Sequence, residues 1–441
     1  MSNRSAIQPA TKAPVLLALL LGFAGAPVLA QDYQVFGDIE GTTTYQYLED
    51  AETEHRLTGR ARLRADHRLT FERADFVADT ELLLRSPGEP DPAVSLLSIS
   101  EQDGGPGRTT ESQDAEVDYF VDEAYLSLFP LSPISVTAGK QRVNWGTGYT
   151  FSPTDTLHPR SASGRDVGYR GLSLTYTPTA DYSVSAHLSA DDALDDTEES
   201  AHTGLRYALY GSAFFGNAEV VLSGVYGPEA TLRPGLAASA DVAGFVLAAE
   251  AALELENRVA YPEGATAADA GFAVPDDPDP APLGLFAIEY NTASDILDVA
   301  AATEYLYAGS GYDRGEAKDL FAALDAAAGE TEDPVARARA EGFSDIDKGQ
   351  VPLYLGKHYL ASSLSLGIAG YVELGTGVLA NAADWSYEAE HTVRVTALEG
   401  VDFSAIARWY AGGEDTEFGS YPDGLTTPGR LQIELGSTVH F

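Results

Sequence analysis

The sequence contains no cysteine, which excludes disulfide bonds, thiolate metal sites and cysteine nucleophiles. Positive charge is also scarce, because 27 Lys plus Arg stand against 67 Asp plus Glu and the formal net charge is -40. An acidic excess of this size argues against nucleic acid as a partner. Only five of the basic residues are lysines, so the positive charge along the chain is nearly all arginine.

Long apolar runs are missing after the N-terminus, where no stretch has the roughly 20 uninterrupted apolar residues that a membrane-spanning helix needs. Near the N-terminus, two basic residues precede an apolar run over 13–26, and small side chains follow at Val28 and Ala30. This is the pattern of a secretory signal peptide. We therefore expect residues 1–30 to be removed by cleavage after Ala30, and residues 31–441 to form a single exported domain.

Motifs for catalysis and cofactor binding are absent as well. The chain has no H-E-x-x-H, G-x-S-x-G or G-K-[ST] element, and these are the local signatures of zinc proteases, serine hydrolases and phosphate-binding loops. An acidic run over 191–199 lacks the fixed spacing and turning glycine of a calcium loop, so solvated charge is its favoured interpretation. The sequence predicts neither an enzyme nor a resident cofactor or metal.

Polar and apolar residues alternate along much of the chain with a period of two. In 57–69, LTGRARLRADHRL, charged or polar residues alternate with mostly apolar ones. Successive side chains of a strand point to opposite faces, so each face of this stretch has one character. Similar runs of ten residues or more recur in 245–255 and 385–397. The polar face of the first run and the start of the next segment carry Arg56, Arg60, Arg62, Arg64, Arg68 and Arg73.

About eighteen such segments follow one another, and their connections alternate in length. A soluble sandwich would alternate in polarity too, but it has no reason to place its long loops at one end. Long loops at one rim with tight turns at the other are typical of outer-membrane barrels. The sequence therefore predicts an all-β fold, a transmembrane antiparallel β-barrel of about 16–18 strands with long extracellular loops and short periplasmic turns. The segments begin near residues 33, 54, 73, 118, 134, 167, 181, 201, 217, 231, 244, 282, 297, 357, 370, 385, 402 and 430, and the long connections are 86–117, 147–166, 191–200, 257–281, 309–356 and 413–429.

The last stretch, GRLQIELGSTVHF, places apolar residues on one face and ends on Phe441. It resembles the C-terminal strand signal with which bacterial outer-membrane proteins engage the barrel assembly machinery. The resemblance implies that machinery as a partner, outer-membrane lipid as the surroundings and the bacterial outer membrane as the location.

A second resemblance lies in 138–159, AGKQRVNWGTGYTFSPTDTLHP. This segment is similar to one found in large outer-membrane barrels of the porin and alginate-export type. The resemblance implies a wide barrel with a polar lumen, and it supplies no substrate. The matching residues are Gly139, Lys140, Gln141, Arg142, Trp145, Gly146, Gly148, Phe151, Pro153, Thr154, Asp155 and Pro159.

The polar faces supply candidate pore-lining residues. A barrel of this strand number normally leaves an aqueous interior, in which the arginines would form a positive wall opposite acidic residues of other strands. Gly146 and Gly148 let the segment after the arginines bend, and we expect that loop to fold inward as a constriction. The alternative is charge compensation, in which the basic residues pair with acids such as Asp79 and only fix the strands. The candidates are Arg56, Arg60, Arg62, Arg64, Arg68, Arg73, Glu123, Lys140, Arg142, Asn144 and Asp155.

Residues 309–356 form a long loop in this prediction. Within it, 313–343 is rich in Ala, Leu, Glu and Arg, and apolar residues recur at helical spacing until Gly329 and Pro334 interrupt them. We expect a partly helical extracellular loop. A plug or lid over the pore mouth is the alternative.

These observations together predict an outer-membrane channel for passive diffusion of small hydrophilic solutes. Anions or acidic sugars would be preferred if the arginine face lines the pore. A non-conducting surface or adhesion protein and a polysaccharide exporter are the alternatives, and the exporter would need periplasmic partners. A monomer and a homo-oligomer are both compatible with the sequence.

Overall fold

The structure is a computed structural model of the chain. It describes residues 32–48, 54–85, 116–143, 145–154, 169–190, 205–227, 232–264, 266, 270–275, 278–294, 296–327, 335, 354–398, 400–413, 416–420 and 429–441. The predicted signal peptide and the acidic run at 191–199 lie outside the described residues.

Eighteen strands form one sheet, and two short strands form a separate hairpin. None of the helices in the described part of the chain is long and apolar enough to cross a membrane. The sheet contains β1 (Asp32–Leu48), β2 (Glu54–Phe71), β3 (Ala74–Arg85), β4 (Glu116–Leu131), β5 (Ile134–Gln141), β6 (Tyr169–Thr179), β7 (Tyr182–Ala190), β8 (Leu205–Phe215), β9 (Ala218–Tyr226), β10 (Arg233–Val242), β11 (Phe245–Glu254), β14 (Ala281–Thr292), β15 (Leu297–Ala308), β16 (His358–Ile368), β17 (Val372–Asn381), β18 (Ser386–Leu398), β19 (Val401–Ala411) and β20 (Gly429–His440). The hairpin is β12 (Tyr261–Glu263) with β13 (Gly271–Ala273), and the helices are α1 (Arg314–Ala327) and α2 (Glu417–Ser420).

The large sheet closes on itself. Its strands pair antiparallel in chain order, with the β12–β13 hairpin left out between β11 and β14, and β1 also pairs with β20 from Asp38↔His440 to Leu48↔Gly429. Beyond that register, Gly37 and Phe441 exchange two backbone hydrogen bonds of 3.1 and 3.0 Å. A Cβ at Gly37 would lie 2.5 Å from Phe441 Cζ, so the terminal ring covers this glycine. Closure removes the unpaired edges that lipid cannot satisfy, and it confirms the predicted antiparallel barrel.

The connections alternate in length around the barrel, as the sequence predicted. Those at one end are tight, and most of those at the other end are long. By analogy with known barrels, the end with the long loops is the extracellular one. The tight turns are 72–73, 132–133, 180–181, 216–217, 243–244, 293–296, 369–371 and 399–400; the other end has 86–115, 142–168, 191–204, 255–280, 309–357 and 412–428, with shorter connections at 49–53, 227–232 and 382–385.

The two faces of the wall differ in polarity. Leu63, Leu126 and Leu209 belong to a large set of exposed apolar side chains and are 40%, 39% and 65% exposed. Charged residues on the opposite face are covered, such as Asp79 at 2% exposure. An apolar outer surface suits lipid, and the period of two sends the polar side chains into the lumen.

A small lobe lies among the extracellular connections, where the β12–β13 hairpin packs against α1. Its core includes Val259, Tyr312, Leu320 and Phe321. Asp313 begins the helix, since its Oδ1 accepts the N–H groups of residues 315 and 316 at 2.9 and 3.0 Å, a capping arrangement that favours a helix start. The helix lies within the connection that the sequence predicted to be partly helical.

Candidate functional site

Residues 142–154, which follow β5, fold into the barrel. Asn144 is the one residue of this segment that lies outside the described set. The segment is hydrogen-bonded to Glu250 on β11 and Glu304 on β15, which are 4% and 1% exposed. Glu304 faces the lumen, because the next side chain along β15, Tyr305, faces outward at 44% exposure. We call residues 142–154 the inward loop.

Glu250 joins residues 147–148 of the inward loop to residue 154 at its end. Its Oε1 accepts the Thr147 hydroxyl at 3.0 Å and the Gly148 N–H at 2.8 Å, as well as the Thr147 N–H. Its Oε2 accepts the Thr154 N–H at 3.0 Å and the Thr154 hydroxyl at 2.7 Å. One buried carboxylate therefore takes five hydrogen bonds from the loop, and charge-assisted bonds of this kind are stronger than neutral ones.

Glu304 holds the middle of the same loop. Its carboxylate accepts three consecutive backbone N–H groups, from Tyr149, from Thr150 at 2.7 Å and from Phe151 at 3.1 Å. These N–H groups point at one anion in place of a secondary-structure partner, which satisfies backbone donors that burial would otherwise leave unpaired.

Two aromatic side chains fix the flanks of the inward loop. Trp145 is 5% exposed and packs against His187 and Tyr210, with ring centroids 5.0 and 5.4 Å apart. Phe151 is equally buried and packs against Tyr354 and Tyr359 at 5.7 and 5.8 Å. The loop therefore contacts the β7–β8 wall at one flank and the β16 wall at the other.

The glycines of the loop are required by close approach. A Cβ at Gly146 would lie 1.9 Å from Ser152 Oγ, and one at Gly148 would lie 1.9 Å from the Phe151 carbonyl oxygen. Neither position has room for a side chain, which accounts for both glycines of the WGTG sequence.

The arginine row, which we define as Arg60, Arg62 and Arg64 on β2, lies on the inner face of the barrel and is paired with acids. Arg62 contacts Glu40 at 2.5 Å, and Arg64 donates to both oxygens of Asp79 at 3.0 and 2.5 Å. Arg60 Nη2 lies 3.4 Å from Glu434, across strand β1. The three side chains remain 34–37% exposed. The arginines are therefore paired with acids and still partly exposed to the lumen.

Arg142 extends this network to the start of the inward loop. Its guanidinium lies 3.8 Å from Asp79 and 3.9 Å from Asp122, and its backbone N–H donates to Glu123 at 2.9 Å. The register of β3 and β4 shifts between Asp79 and Thr80, where Asp122 and Glu123 follow one another. A β-bulge of this kind turns successive acids towards one arginine.

The remaining candidates are placed differently. Lys140 pairs in register with Ala124 and Arg170, and two residues along each strand Ala138 pairs with the exposed leucines at 126 and 172. Alternation along β5 therefore groups Lys140 with the outward side chains, and its role as a pore-lining residue stays a prediction. The strand ends at Gln141, so the alternation that grouped Lys140 with Arg142 does not continue into the loop. Arg68 shares the inner row of β2, Arg73 lies in the β2–β3 turn, the Arg56 backbone belongs to β2, and Asn144 and Asp155 lie outside the described residues.

On the strands β15–β18, the wall forms a recess of about 200 Å³ that we call the alcove. Glu304, Glu388 and Glu390 surround it, Thr150 of the inward loop covers it, and small residues such as Ala302 and Gly377 form its wall. Arg408 contacts Glu390 at 2.8 Å and Glu434 at 3.5 Å. Charged groups thus continue from the alcove round to the arginine row.

Sequence reasoning missed the residues that hold the inward loop. The expected acidic wall opposite the arginines did not identify Glu250 or Glu304 as the residues that hold the loop, and Trp145 was named only as part of the family resemblance. A charged residue in an otherwise apolar run, such as AAATEYLYA, was the available signal for Glu304. It did not identify a partner, because the partner is the backbone of a loop about 150 residues away.

At the extracellular end, α2 carries a buried carboxylate. Glu417 accepts hydrogen bonds from Tyr359 at 2.7 Å and Asn381 at 2.9 Å, and its N–H donates to Asp384 at 2.8 Å. Burial raises the pKa of Glu417 from 4.5 to about 7, and the neighbouring Asp384 carboxylate also raises it.

This raised pKa makes the docking of α2 depend on pH. The docked helix binds the proton more tightly than the undocked one, so its extra stability is complete below pH 4.5 and is lost as pH rises through about 7. The difference corresponds to about 3 kcal/mol. We expect hydrogen exchange of residues 416–420, corrected for the intrinsic rate, to increase from pH 5 to pH 8. Glu417→Gln keeps the acceptor without the charge and should abolish that increase; equal pH dependence in both proteins would contradict the assignment.

Comparison with known proteins shows similarity to solved structures and no match in sequence. No protein-family model matches this chain, and no curated protein matches its sequence. The crystal structure of Acinetobacter baumannii OccAB1 has a TM-score of 0.53 and 14% identity, covering 94% of this chain and 97% of that one. A BenF-like porin from Pseudomonas fluorescens Pf-5 has a TM-score of 0.51 and 10% identity, covering 94% and 99%. Pseudomonas aeruginosa OccK2 (OpdF) in complex with glucuronate has a TM-score of 0.50 and 10% identity, with the same coverage. The chain therefore has the fold of outer-membrane β-barrels of the porin type.

Proposed function

We propose that the protein is an outer-membrane channel through which small hydrophilic solutes diffuse passively. The observation that carries the proposal is the inward loop, which is anchored to one side of the lumen while charged side chains on the other side keep about a third of their surface exposed. This arrangement leaves a polar constriction beside the loop. A closed 18-stranded wall has room for such an aqueous path.

The path continues below the constriction in this proposal. A cavity of about 560 Å³ lies in the lumen near the tight-turn end, lined by Asp298, Glu373 and Arg394 among other polar residues. Polar and glycine-rich walls favour hydrated solutes over apolar ones.

We further propose that solutes with a negatively charged group, such as acidic sugars, contact the arginine row. The guanidinium groups are paired but partly exposed, and a carboxylate can share their remaining N–H donors. A relative of the same fold, OccK2, was crystallised with glucuronate, which is consistent with passage of acidic sugars through barrels of this type.

Delivery to the membrane is part of the same proposal. Residues 1–30 would be removed after Ala30, residues 31–441 would form the barrel domain, and the strand ending in Phe441 would engage the assembly machinery. N-terminal sequencing of the protein purified from outer membranes should begin at Gln31; a start at any other residue would refute the cleavage site.

Single-channel recording in a planar bilayer tests the main proposal. The refolded mature protein should give stable conductance steps, and a salt gradient should give a reversal potential that reports ion selectivity. Closed but correctly folded barrels, identified by a heat-dependent shift on detergent gels, would refute the channel and favour the surface-protein or exporter alternative.

Changing the arginine row should shift selectivity in one direction. The triple variant Arg60→Gln, Arg62→Gln and Arg64→Gln removes three positive charges, including the guanidinium that contacts Glu40. The reversal potential should therefore move towards cations. Glu434→Gln is the matched opposite, because it removes one negative charge between Arg60 and Arg408 and should move the potential towards anions. Unchanged ion selectivity in both open channels would show that the arginine row does not line the pore.

A further inference from the structure

The inward loop is hydrogen-bonded to two carboxylate side chains that take no part in the strand ladders of the barrel. Within the described residues, the Glu250 and Glu304 carboxylates accept hydrogen bonds from the loop alone. Glu250 accepts five of them and Glu304 accepts three. The backbone ladders of β11 and β15 are complete without these side chains.

The charge state of these carboxylates matters for that role. Six of the eight donors are backbone N–H groups, so both oxygens of each carboxylate must act as acceptors. An ionised carboxylate has acceptors only, whereas a glutamine side chain offers one oxygen and one NH₂ group. In a glutamine variant, the NH₂ group would face donors and leave buried N–H groups unsatisfied.

We propose that Glu250 and Glu304 are positioning residues that fix the inward loop and thereby set the size limit of the channel. This inference rests on the proposed diffusion function. Glu250 draws residues 147–148 and residue 154 to one point of the β11 wall, and Glu304 draws residues 149–151 to β15. Because the loop is attached at both β11 and β15, its position determines the open cross-section of the lumen beside it.

The first test compares Glu250→Gln, Glu304→Gln and the double variant with wild type. Each variant loses acceptors for the loop, and the double variant should show a single-channel conductance roughly two-fold or more above wild type, because a displaced loop widens the constriction. Polyethylene glycols too large to enter the wild-type pore should enter the variant pore and reduce its conductance. Glu254→Gln is the matched control, because Glu254 lies four residues after Glu250 on the same face of β11 but pairs with Arg233 and not with the loop. It should keep the wild-type size limit.

A disulfide cross-link tests whether the position of the loop, and no other effect of these substitutions, changes the size limit. The chain has no cysteine, and a Cβ at Gly235 would lie 3.3 Å from Thr154 Cβ, near the separation of about 3.8 Å that is typical of a disulfide. The same Cβ would lie 2.5 Å from Ser223 Oγ, so that hydroxyl must rotate away. In a Glu250→Gln background, Thr154→Cys with Gly235→Cys should restore the wild-type size limit when oxidised and lose it again when reduced.

Three results would overturn the inference while wild type conducts. These are an unchanged size limit in folded Glu250→Gln and Glu304→Gln barrels, an equal change in Glu254→Gln, or an oxidised cross-link that leaves the variant pore wide. Thr147→Val with Thr154→Val removes two loop hydroxyl donors without altering the wall, and it should widen the pore partially if the glutamine variants do not fold. A silent wild-type barrel would instead refute the proposed channel, so the two failures are distinguishable.

Discussion

Gly139→Ala is expected to lower the free energy of unfolding of the barrel by about 2 to 4 kcal/mol. Gly139 lies in β5 with φ at +130°, a region that L side chains rarely adopt. An added Cβ would lie 2.3 Å from the Ala124 carbonyl oxygen and 2.7 Å from Tyr125 Cα. Both are backbone atoms of the paired strand β4, so neither can move away without disturbing the β4–β5 ladder that precedes the inward loop.

The measurement is the denaturant concentration at which the folded band disappears from unheated detergent gels. Gly59→Ala is the matched control: it is also a strand glycine, but its added Cβ would meet only the Thr42 carbonyl oxygen at an ordinary 3.6 Å. This control should be neutral or slightly stabilising, since alanine restricts the unfolded chain. Equal stability of the two variants would show that the backbone at Gly139 tolerates a side chain.

The barrel was predictable from sequence because its wall has lipid on one side and water on the other. Each strand therefore alternates in polarity along its whole length, as in β2, predicted from residue 54 and observed from Glu54. The largest displacement of a strand start is at β8, predicted from 201 and observed from Leu205. Alternation is a local property of the chain, and closure followed from the even strand number and the segregated loops.

The candidate site was less predictable because it depends on contacts between distant segments. Period-two alternation placed Arg60, Arg62 and Arg64 together on the inner face, but the partner of Arg60 is Glu434, 374 residues away. The same rule grouped Lys140 with Arg142, but β5 ends at Gln141, so alternation does not extend to Arg142. Alternation specifies which face a strand residue occupies, but it does not specify what a loop beyond the strand will touch.

The position of the arginine row has a physical reason that the composition does not show. Carboxylates from β1, β3 and β20 converge on one sector of the lumen, where Glu40, Asp79 and Glu434 face the row. Without the arginines, these acids would repel one another in a partly desolvated wall. A chain with a large acidic excess therefore concentrates its few cations where its inner strands carry the most negative charge.

Replacing both aromatic anchors of the inward loop is expected to have a large effect on conductance. In a Trp145→Ala, Phe151→Ala variant, each substitution removes a ring that is 5% exposed, and truncation of a buried Trp or Phe typically costs about 3 to 5 kcal/mol. That cost falls on the loop, because the strand ladders contain neither residue. Glu250 and Glu304 would still attract the loop backbone, but its flanks would no longer pack on the β7–β8 and β16 walls.

The expected record is a larger conductance, roughly two-fold or more above wild type, with added fluctuations as the loop changes position. Hydrogen exchange in residues 145–154 should increase in the same variant, while exchange in β11 and β15 should stay slow. Trp409→Ala is the matched control, since Trp409 is 57% exposed on the outer face and far from the loop. If both proteins conduct alike and the loop stays protected, the carboxylates alone hold it. Aromatic packing would then contribute to stability near the walls and not to the width of the pore.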